Sequence, residues 1–161
     1  MNSIVIYASH FGNTKKVAEA IAEGLRPLGT TQVLSVEEAP ATLPYGTDLV
    51  VIGGPTEAHR MTRPLAQLFD RLGPGLGRGT AVAAFDTRLQ ASRWLSGSAA
   101  VGVTRRLRQA GARVIAPPES FFVAGKTPEL LPGELERATQ WGADLAAQVK
   151  ALAPVPAVTT N

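Results

Sequence analysis

The sequence contains no cysteine, which excludes disulfide bonds, thiolate nucleophiles and sulfur-ligated metals. Its two histidines, His10 and His59, are far apart and no H-E-x-x-H spacing is present, so we expect no metal site. No apolar run is long enough to span a membrane, and Met1-Asn2-Ser3 leads directly into a strand pattern without a basic leader segment. These absences together predict a soluble, cytoplasmic protein without membrane insertion.

Aromatic residues are also scarce, at 6% of the 161 residues. Arginine far outnumbers lysine, and the net charge is +3. The basic run Arg105-Arg106-Leu107-Arg108 lies in a helical pattern and lacks the interleaved aromatic side chains that stack on bases. We therefore expect no nucleic-acid binding, whereas the mildly positive field favours anionic ligands or acidic partners.

What the sequence does contain is an alternation of short apolar runs and amphipathic helical patterns, which predicts βαβ units and an α/β fold. Strands are predicted at Ser3–Ala8, Thr31–Val36, Asp48–Gly53 and Thr80–Phe85, with a fifth that starts at Arg113–Ala116, is interrupted by Pro117 and Pro118 and resumes at Ser120–Ala124. Helices are predicted after the first strand, after Thr62 as N-cap, over Gly97–Ala110 and over Gly133–Leu152. One domain is expected over residues 1–152, and the patternless tail 153–161 is expected to be disordered.

Helical spacing also predicts which side chains face the core. The predicted core positions are Val17, Ile21, Leu25 and Leu28 in the first helix, Leu65, Leu68, Phe69 and Leu72 in the second, and Leu135, Ala138, Leu145, Val149 and Leu152 in the last, with Trp141 beside them. Right-handed crossovers then favour a doubly wound, five-stranded parallel sheet with the strand order 2-1-3-4-5. Ligands bind such sheets above the carboxyl ends of the strands, at the crevice between strands one and three.

Polar residues follow the first strand at the point where a helical pattern begins. In Ser9-His10-Phe11-Gly12-Asn13-Thr14, backbone N–H groups and the short side chains of Ser9, Asn13 and Thr14 are placed to cradle a phosphate at a helix N-terminus. The same hydroxyl groups also suit ordinary turn and N-cap roles. Phe11 is interpreted either as a wall of the site or as an exposed turn residue.

Two further polar segments are predicted as loops at the same edge of the sheet. Gly53-Gly54-Pro55-Thr56 follows the third strand and leads to His59, and Asp86-Thr87-Arg88 follows the fourth. Because the carboxyl ends of parallel strands share one edge, we expect all three loops to converge on one site. No base and acid accompany Ser9, so nucleophilic catalysis is not expected, and no G-x-G-x-x-G fingerprint is present.

These motifs resemble those of the flavodoxin family, and the resemblance covers nearly the whole chain. It rests on Tyr7-x-Ser9-x-x-Gly12-Asn13-Thr14, Gly53-Gly54-Pro55-Thr56 and Phe85-Asp86-Thr87-Arg88. It implies a flavodoxin-like fold and noncovalent FMN, with the phosphate on the first loop, the isoalloxazine ring between the other two, and a reductase and an acceptor as redox protein partners. The implied cofactor-binding residues are Ser9, His10, Phe11, Gly12, Asn13, Thr14, Pro55, Thr56, His59, Asp86, Thr87 and Arg88, and no side chain is implied to be catalytic.

Three interpretations of the function follow from these residues. The first is an FMN-binding electron carrier, in which Arg88 would place a cation beside the N1–O2 edge of the flavin. The second is an FMN-dependent oxidoreductase of the protoporphyrinogen or quinone reductase kind, because aromatic walls are missing from the expected positions and Trp94 lies farther along the chain. The third is a flavodoxin-fold interaction module without cofactor, because Phe11 stands where many relatives have Thr or Ser.

Overall fold

The computed structural model describes residues 1–57, 60–72, 76, 80–90, 97–125 and 127–152. Within these residues a mostly parallel sheet lies between two pairs of helices. Its strands are β1 (Asn2–Tyr7), β2 (Thr30–Ser35), β3 (Leu49–Glu57), β4 (Arg60–Met61), β5 (Ala81–Leu89), β6 (Arg113–Val114), β7 (Glu119–Ala124) and β8 (Glu129–Leu130). The helices are α1 (Asn13–Leu25), α2 (Arg63–Leu72), α3 (Ala99–Gln109) and α4 (Glu134–Leu152), and a 3₁₀ turn spans Arg26–Leu28.

The strand order is β2-β1-β3-β5-β7-β8, with β6 also paired to β5. Because β6 and β7 are two parts of the predicted fifth strand, separated by Pro117 and Pro118, this order confirms the predicted 2-1-3-4-5 arrangement. The added edge strand β8, antiparallel to β7, was not predicted, since two residues give too short a pattern to recognise. The sequence prediction of an α/β doubly wound fold is therefore confirmed.

Successive side chains of the central strands point to opposite faces of the sheet, which divides the core into two layers. Val50, Ile52 and Val82 face α2 and α3, whereas Val51, Ala83 and Phe85 face α1 and α4. The predicted core residues of α2 are all buried, as are Val17, Ile21 and Leu25 of α1. Trp141 packs edge to face on Phe121, so its predicted core role is also confirmed.

Three of the predicted core positions are wrong. Leu28 is 40% exposed in the 3₁₀ turn, where the helical period that places Leu25 inward has ended. Leu135 and Leu152 are each 39% exposed near the two ends of α4. The tail 153–161 lies outside the described residues.

The segments predicted as loops after the third and fourth strands are strand over most of their length. β3 continues to Glu57 and β5 to Leu89, with Gly54 opposite Asp86 and Pro55 opposite Thr87. Pro55 lacks an N–H, but the neighbouring β1 ends at Tyr7, so no ladder bond is lost on that side. β3 then turns back as β4, which pairs antiparallel with it.

No helix in the described part of the chain is long and apolar enough to cross a membrane.

Candidate functional site

A cleft of about 250 Å³ lies at the carboxyl ends of β1, β3, β5 and β7. The structure therefore brings together residues from all three predicted segments. Its lining includes His10, Phe11, Asn13, Thr14, Pro55, Thr56, Thr87 and Arg88 from the predicted set. Ser9, Gly12 and Asp86 are not among the lining residues, and His59 and Trp94 lie outside the described residues.

The loop from β1 to α1 leaves the positive end of a helix open toward the cleft. Gly12 precedes α1 with φ 84°, a left-handed conformation that glycine adopts without strain, and it provides no side-chain cap. The first bond of the helix runs from the Lys16 N–H to the Gly12 carbonyl, so the N–H groups of Asn13, Thr14 and Lys15 have no intrahelical acceptor. The first turn carries no acidic residue, and its partial positive charge is therefore not neutralised locally.

The side chains of this loop are held by contacts within the protein. The Gly12 N–H donates to Ser9 Oγ at 3.1 Å, a bond within the turn, and Ser9 is not among the residues that line the cleft. Asn13 Nδ2 donates to the Pro128 carbonyl at 2.7 Å, tying the loop to the turn between β7 and β8. The hydroxyls of Thr14 and Thr87 are 2.7 Å apart and buried, which fixes α1 against β5.

His10 and Phe11 form the outer rim of the cleft. His10 Nδ1 lies 2.6 Å from Glu57 Oε1, so the first loop is linked to the end of β3. The hydrogen bond and the charge of Glu57 raise the pKa of His10 above its ordinary value. Phe11 is 71% exposed, and its ring centroid lies 6.3 Å from that of His10. It is thus both a wall of the cleft and an exposed turn residue.

Asp86 is fully buried and anchors the start of α3 instead of lining the cleft. Its Oδ2 accepts hydrogen bonds from Thr56 Oγ1 at 3.0 Å, Ser98 Oγ at 2.5 Å and the Ala100 N–H at 3.0 Å. The Ala99 N–H donates to Thr56 Oγ1 at 2.8 Å, so β3, β5 and α3 meet in one network. A carboxylate at a helix N-terminus is favoured by the helix dipole.

Arg88 is buried at the edge of the cleft with its guanidinium fixed in place. Its Nε donates to Ser120 Oγ at 3.1 Å and lies 4.0 Å from Asp86 Oδ1. The guanidinium also lies over the Phe122 ring, 5.0 Å from its centroid. The cleft therefore has a fixed cation on the side of β5 and β7.

The part of the lining that comes from the end of β7 was not predicted from the sequence. Val123, Gly125 and Pro128 close this side of the cleft. The predicted resumption of the fifth strand at Ser120–Ala124 was the available signal, because its carboxyl end reaches the same edge of the sheet as the other three. Glu57 and Leu89 also line the cleft and were not predicted.

Comparisons with known proteins agree with this geometry. A family model described as "Flavodoxin domain" matches residues 4–91, more than half of the chain. A curated flavodoxin from Aquifex aeolicus (strain VF5) is 38% identical over 69 residues, which is 42% of this chain and 37% of that protein. The match thus spans little more than a third of that relative's length.

Solved structures are similar over almost the entire chain. A flavodoxin from the domain Archaea superposes with a TM-score of 0.78 at 25% identity, covering 93% of this chain and 99% of that one. Flavodoxin 1 from Bacillus cereus has a TM-score of 0.77 at 21% identity, covering 91% of this chain and 98% of that one, a likeness of fold. Because the family model covers the first strand, the phosphate loop and the ends of β3 and β5, the chain belongs to the flavodoxin family, whose members bind FMN.

Proposed function

We propose that this protein binds FMN in the cleft and carries electrons from a reductase to an acceptor protein. The observation that carries the proposal is the open N-terminus of α1, with a left-handed Gly12 before it and no acid in its first turn. This end faces a cleft formed by the strand ends of a flavodoxin fold. Family membership supports a flavin, and the chain's own residues define where it would lie.

The residues present fit the phosphate of FMN. The N–H groups of Asn13, Thr14 and Lys15 belong to the free first turn, and the Thr14 hydroxyl lies beside them at the cleft. Each hydrogen bond to a charged group contributes about 1.5–3 kcal/mol, so a few such donors hold a phosphate without lysine or arginine in the loop. Ser9 supports the turn from behind through its bond with Gly12.

The flavin ring would lie between the end of β3 and the end of β5. Pro55, Thr56 and Glu57 form one side, and Thr87, Arg88 and Leu89 form the other. When bound, the flavin supplies one- and two-electron redox chemistry, and the protein supplies binding, orientation and electrostatics. The fixed guanidinium of Arg88 favours the negative charge that a flavin gains on reduction.

Calorimetric titration of flavin-free protein with FMN and with riboflavin tests the phosphate site. We expect FMN to bind at least about a hundredfold tighter, since two charged hydrogen bonds of about 1.5 kcal/mol each give this ratio. Thr14→Val should weaken FMN binding about tenfold and leave riboflavin unchanged, whereas Thr139→Val, at a half-buried position of α4 that does not line the cleft, should change neither. Equal affinities for the two flavins, or no binding of either, would contradict the proposal.

Turnover distinguishes a carrier from an enzyme that acts on its own substrate. We expect the flavin-loaded protein to accept electrons from NADPH only when a flavodoxin reductase is added. Steady-state reduction of quinones by the isolated protein with NADPH would instead favour the oxidoreductase interpretation.

A further inference from the structure

A second cavity lies at the short strand β4, which pairs with the end of β3. It has a volume of about 510 Å³ and is lined by β4 and by α3. Arg60 and Met61 come from β4, and Val101, Arg105 and Arg106 from α3. Gly102 lets α3 approach β4, because a Cβ there would lie 2.9 Å from Met61 Cε. We call this cavity the arginine groove.

The arginine groove belongs to a strongly basic part of the chain. Residues 60–113 contain ten arginines, no lysine, two aspartates and no glutamate, a formal charge of +8 within a protein of +3. The remaining residues therefore carry −5. This basic segment includes α2 and α3, which cover one face of the sheet, while α1 and α4 cover the other. Counted over the helices alone, α2 and α3 carry +4 and α1 and α4 carry −1, so the face covered by α2 and α3 is the basic one.

The nearest described carboxylate, Glu57, is cross-strand from Arg60 but is bound to His10. Among the residues with described positions, no carboxylate forms an ion pair with Arg60, Arg105 or Arg106, and all three side chains are exposed. Of the two aspartates in the basic segment, Asp86 is buried and bound to the start of α3. The guanidinium groups therefore present their charge to solvent.

The groove is better suited to a protein surface than to a phosphate. The N–H groups of Ala99, Ala100 and Val101 already donate to Thr56, Asp86 and Ser98, so the N-terminus of α3 has no donor left at these positions. What remains are separated arginine side chains around an apolar centre, where Val101 is 45% exposed beside the half-buried Met61. Arginine and methionine flanking an apolar patch are typical of protein interfaces.

The groove shares a wall with the flavin cleft. Thr56 pairs with Met61 and Glu57 with Arg60 across the antiparallel turn of β3 and β4. Thr56 and Glu57 line the cleft, whereas Arg60 and Met61 line the groove. Directly opposed residues of such a pair lie about 5 Å apart, so a partner in the groove is one strand pair away from the cleft.

We propose that the arginine groove is the docking surface for an acidic protein that exchanges electrons with the cofactor in the neighbouring cleft. The electron-exchange part of this proposal rests on the proposed function, whereas the docking part does not. Unpaired arginines attract a carboxylate-rich surface at long range and orient it before contact, and the exposed valine and methionine then exclude water at the interface.

Cytochrome c and its succinylated form, which is acidic, provide matched probes of opposite charge. Binding to each immobilised probe is measured with flavin-free and FMN-loaded protein. The FMN-loaded protein is also reduced anaerobically with dithionite, freed of excess reductant, and assayed for the rate at which it reduces each probe. The test variant is Arg105→Glu/Arg106→Glu. The control is Arg26→Glu/Lys150→Glu, which makes the same change in net charge at exposed positions outside the basic segment.

We expect the wild type to bind the succinylated probe more tightly and to reduce it faster at about 20 mM salt, with most of the advantage lost at about 500 mM. Arg105→Glu/Arg106→Glu should lower the association rate at low salt by at least about tenfold, and the control by less than about threefold. Because docking is also measured with flavin-free protein, it is tested even if FMN does not bind. Failure of the docking proposal can therefore be told apart from failure of the proposed function.

Equal losses in the two double variants would overturn the proposal, because net charge alone would then explain the effect. Preference for unmodified cytochrome c would also overturn it. So would arginine-dependent binding to phosphatidylserine vesicles or to single-stranded RNA without binding to the acidic protein, because the groove would then serve a different class of partner.

Discussion

Asp86 stabilises the protein through three donors that reach a single buried oxygen. Thr56, Ser98 and the Ala100 N–H all bond to Oδ2, and Arg88 lies nearby. Asp86→Ala leaves these half-buried and buried donors without their acceptor, at about 1 kcal/mol each. We expect a loss of about 2–4 kcal/mol in the free energy of unfolding, measured by urea denaturation.

The control for this substitution is Asp70→Ala, at an exposed position of α2. It should change stability by no more than about 0.5 kcal/mol. Similar losses in both variants would contradict an anchoring role for Asp86.

His10 and Glu57 give a second prediction for single residues, this time as a function of pH. Glu57 raises the pKa of His10 above 6.5, so the folded state holds the proton more tightly than the unfolded state. The stabilisation by the His10–Glu57 pair is fully present below pH 6.5, the ordinary pKa of histidine. It is lost as the pH rises through the raised pKa of His10. Glu57→Gln should therefore lower the His10 pKa toward its ordinary value in an NMR titration of the imidazole protons.

Denaturation at two pH values provides an independent check. His10→Gln should lower the urea midpoint at about pH 5.5 and leave it unchanged at about pH 9. If His10→Gln lowered the urea midpoint more at about pH 9 than at about pH 5.5, the predicted pH dependence of the pair would be wrong.

Individual site residues were predictable where the local sequence alone determines their position. Thr14 and Asn13 follow a strand and begin a helix, so their place at the cleft needed only that pattern. The position of Asp86 depends instead on a helix that begins thirteen residues later, whose Ala100 N–H it accepts. Nothing around Asp86 in the sequence indicates that distant donor.

At the level of helices, α1 and α4 make close contact through two glycines. A Cβ at Gly24 would lie 2.0 Å from the Thr139 carbonyl oxygen, and one at Gly142 would lie 2.2 Å from the Ile21 carbonyl oxygen. Backbone atoms cannot move aside as a side-chain tip can. Gly24→Ala should therefore destabilise the protein by about 1–3 kcal/mol through overpacking, although alanine is the better helix former by about 1 kcal/mol.

Gly102→Ala in α3 is the matched control, because its Cβ would meet only the methyl end of the flexible Met61 side chain. We expect its midpoint of thermal unfolding to equal or exceed that of the wild type. An increase in stability for Gly24→Ala would show that the two helices have room to separate.

The strand ends were the elements that the sequence predicted least well. Glycine and proline at Gly53-Gly54-Pro55 indicated a loop, but the backbone stays in the sheet because β5 runs alongside it as far as Thr87. Gly53 is needed there for close packing, since a Cβ would lie 2.3 Å from the Phe85 ring. Pairing with a neighbouring strand thus outweighs the local preference for a turn. The local sequence shows the turn preference but not the pairing.

At the scale of the whole molecule, the strand order was predictable because βαβ units with right-handed crossovers allow few arrangements. The concentration of positive charge in residues 60–113 was not recognised, although the arginines are visible in the sequence. The net charge does not show it, because +8 in residues 60–113 and −5 in the rest of the chain sum to +3. Only the placement of α2 and α3 on one face shows that the basic segment forms a surface.

The net positive charge also affects the cofactor under the proposed function. It favours the negative charge gained on reduction, and added salt screens this attraction. Raising the salt from about 20 mM to about 500 mM should lower the reduction potential of bound FMN, by on the order of 25 mV or one kT per electron. Potentiometry that shows an unchanged or higher potential would contradict this expectation.

The short β3–β4 pair and the buried Asp86 have a joint consequence for mutational studies of this protein. Thr56 borders the cleft, its cross-strand partner Met61 borders the groove, and Asp86 ties Thr56 to the helix on the far side of that groove. A substitution at Asp86 would therefore disturb cofactor and partner together while touching neither. If an Asp86 variant lost both cofactor binding and partner binding, the result would show that the two sites share a structural support. It would not show that Asp86 contacts either ligand.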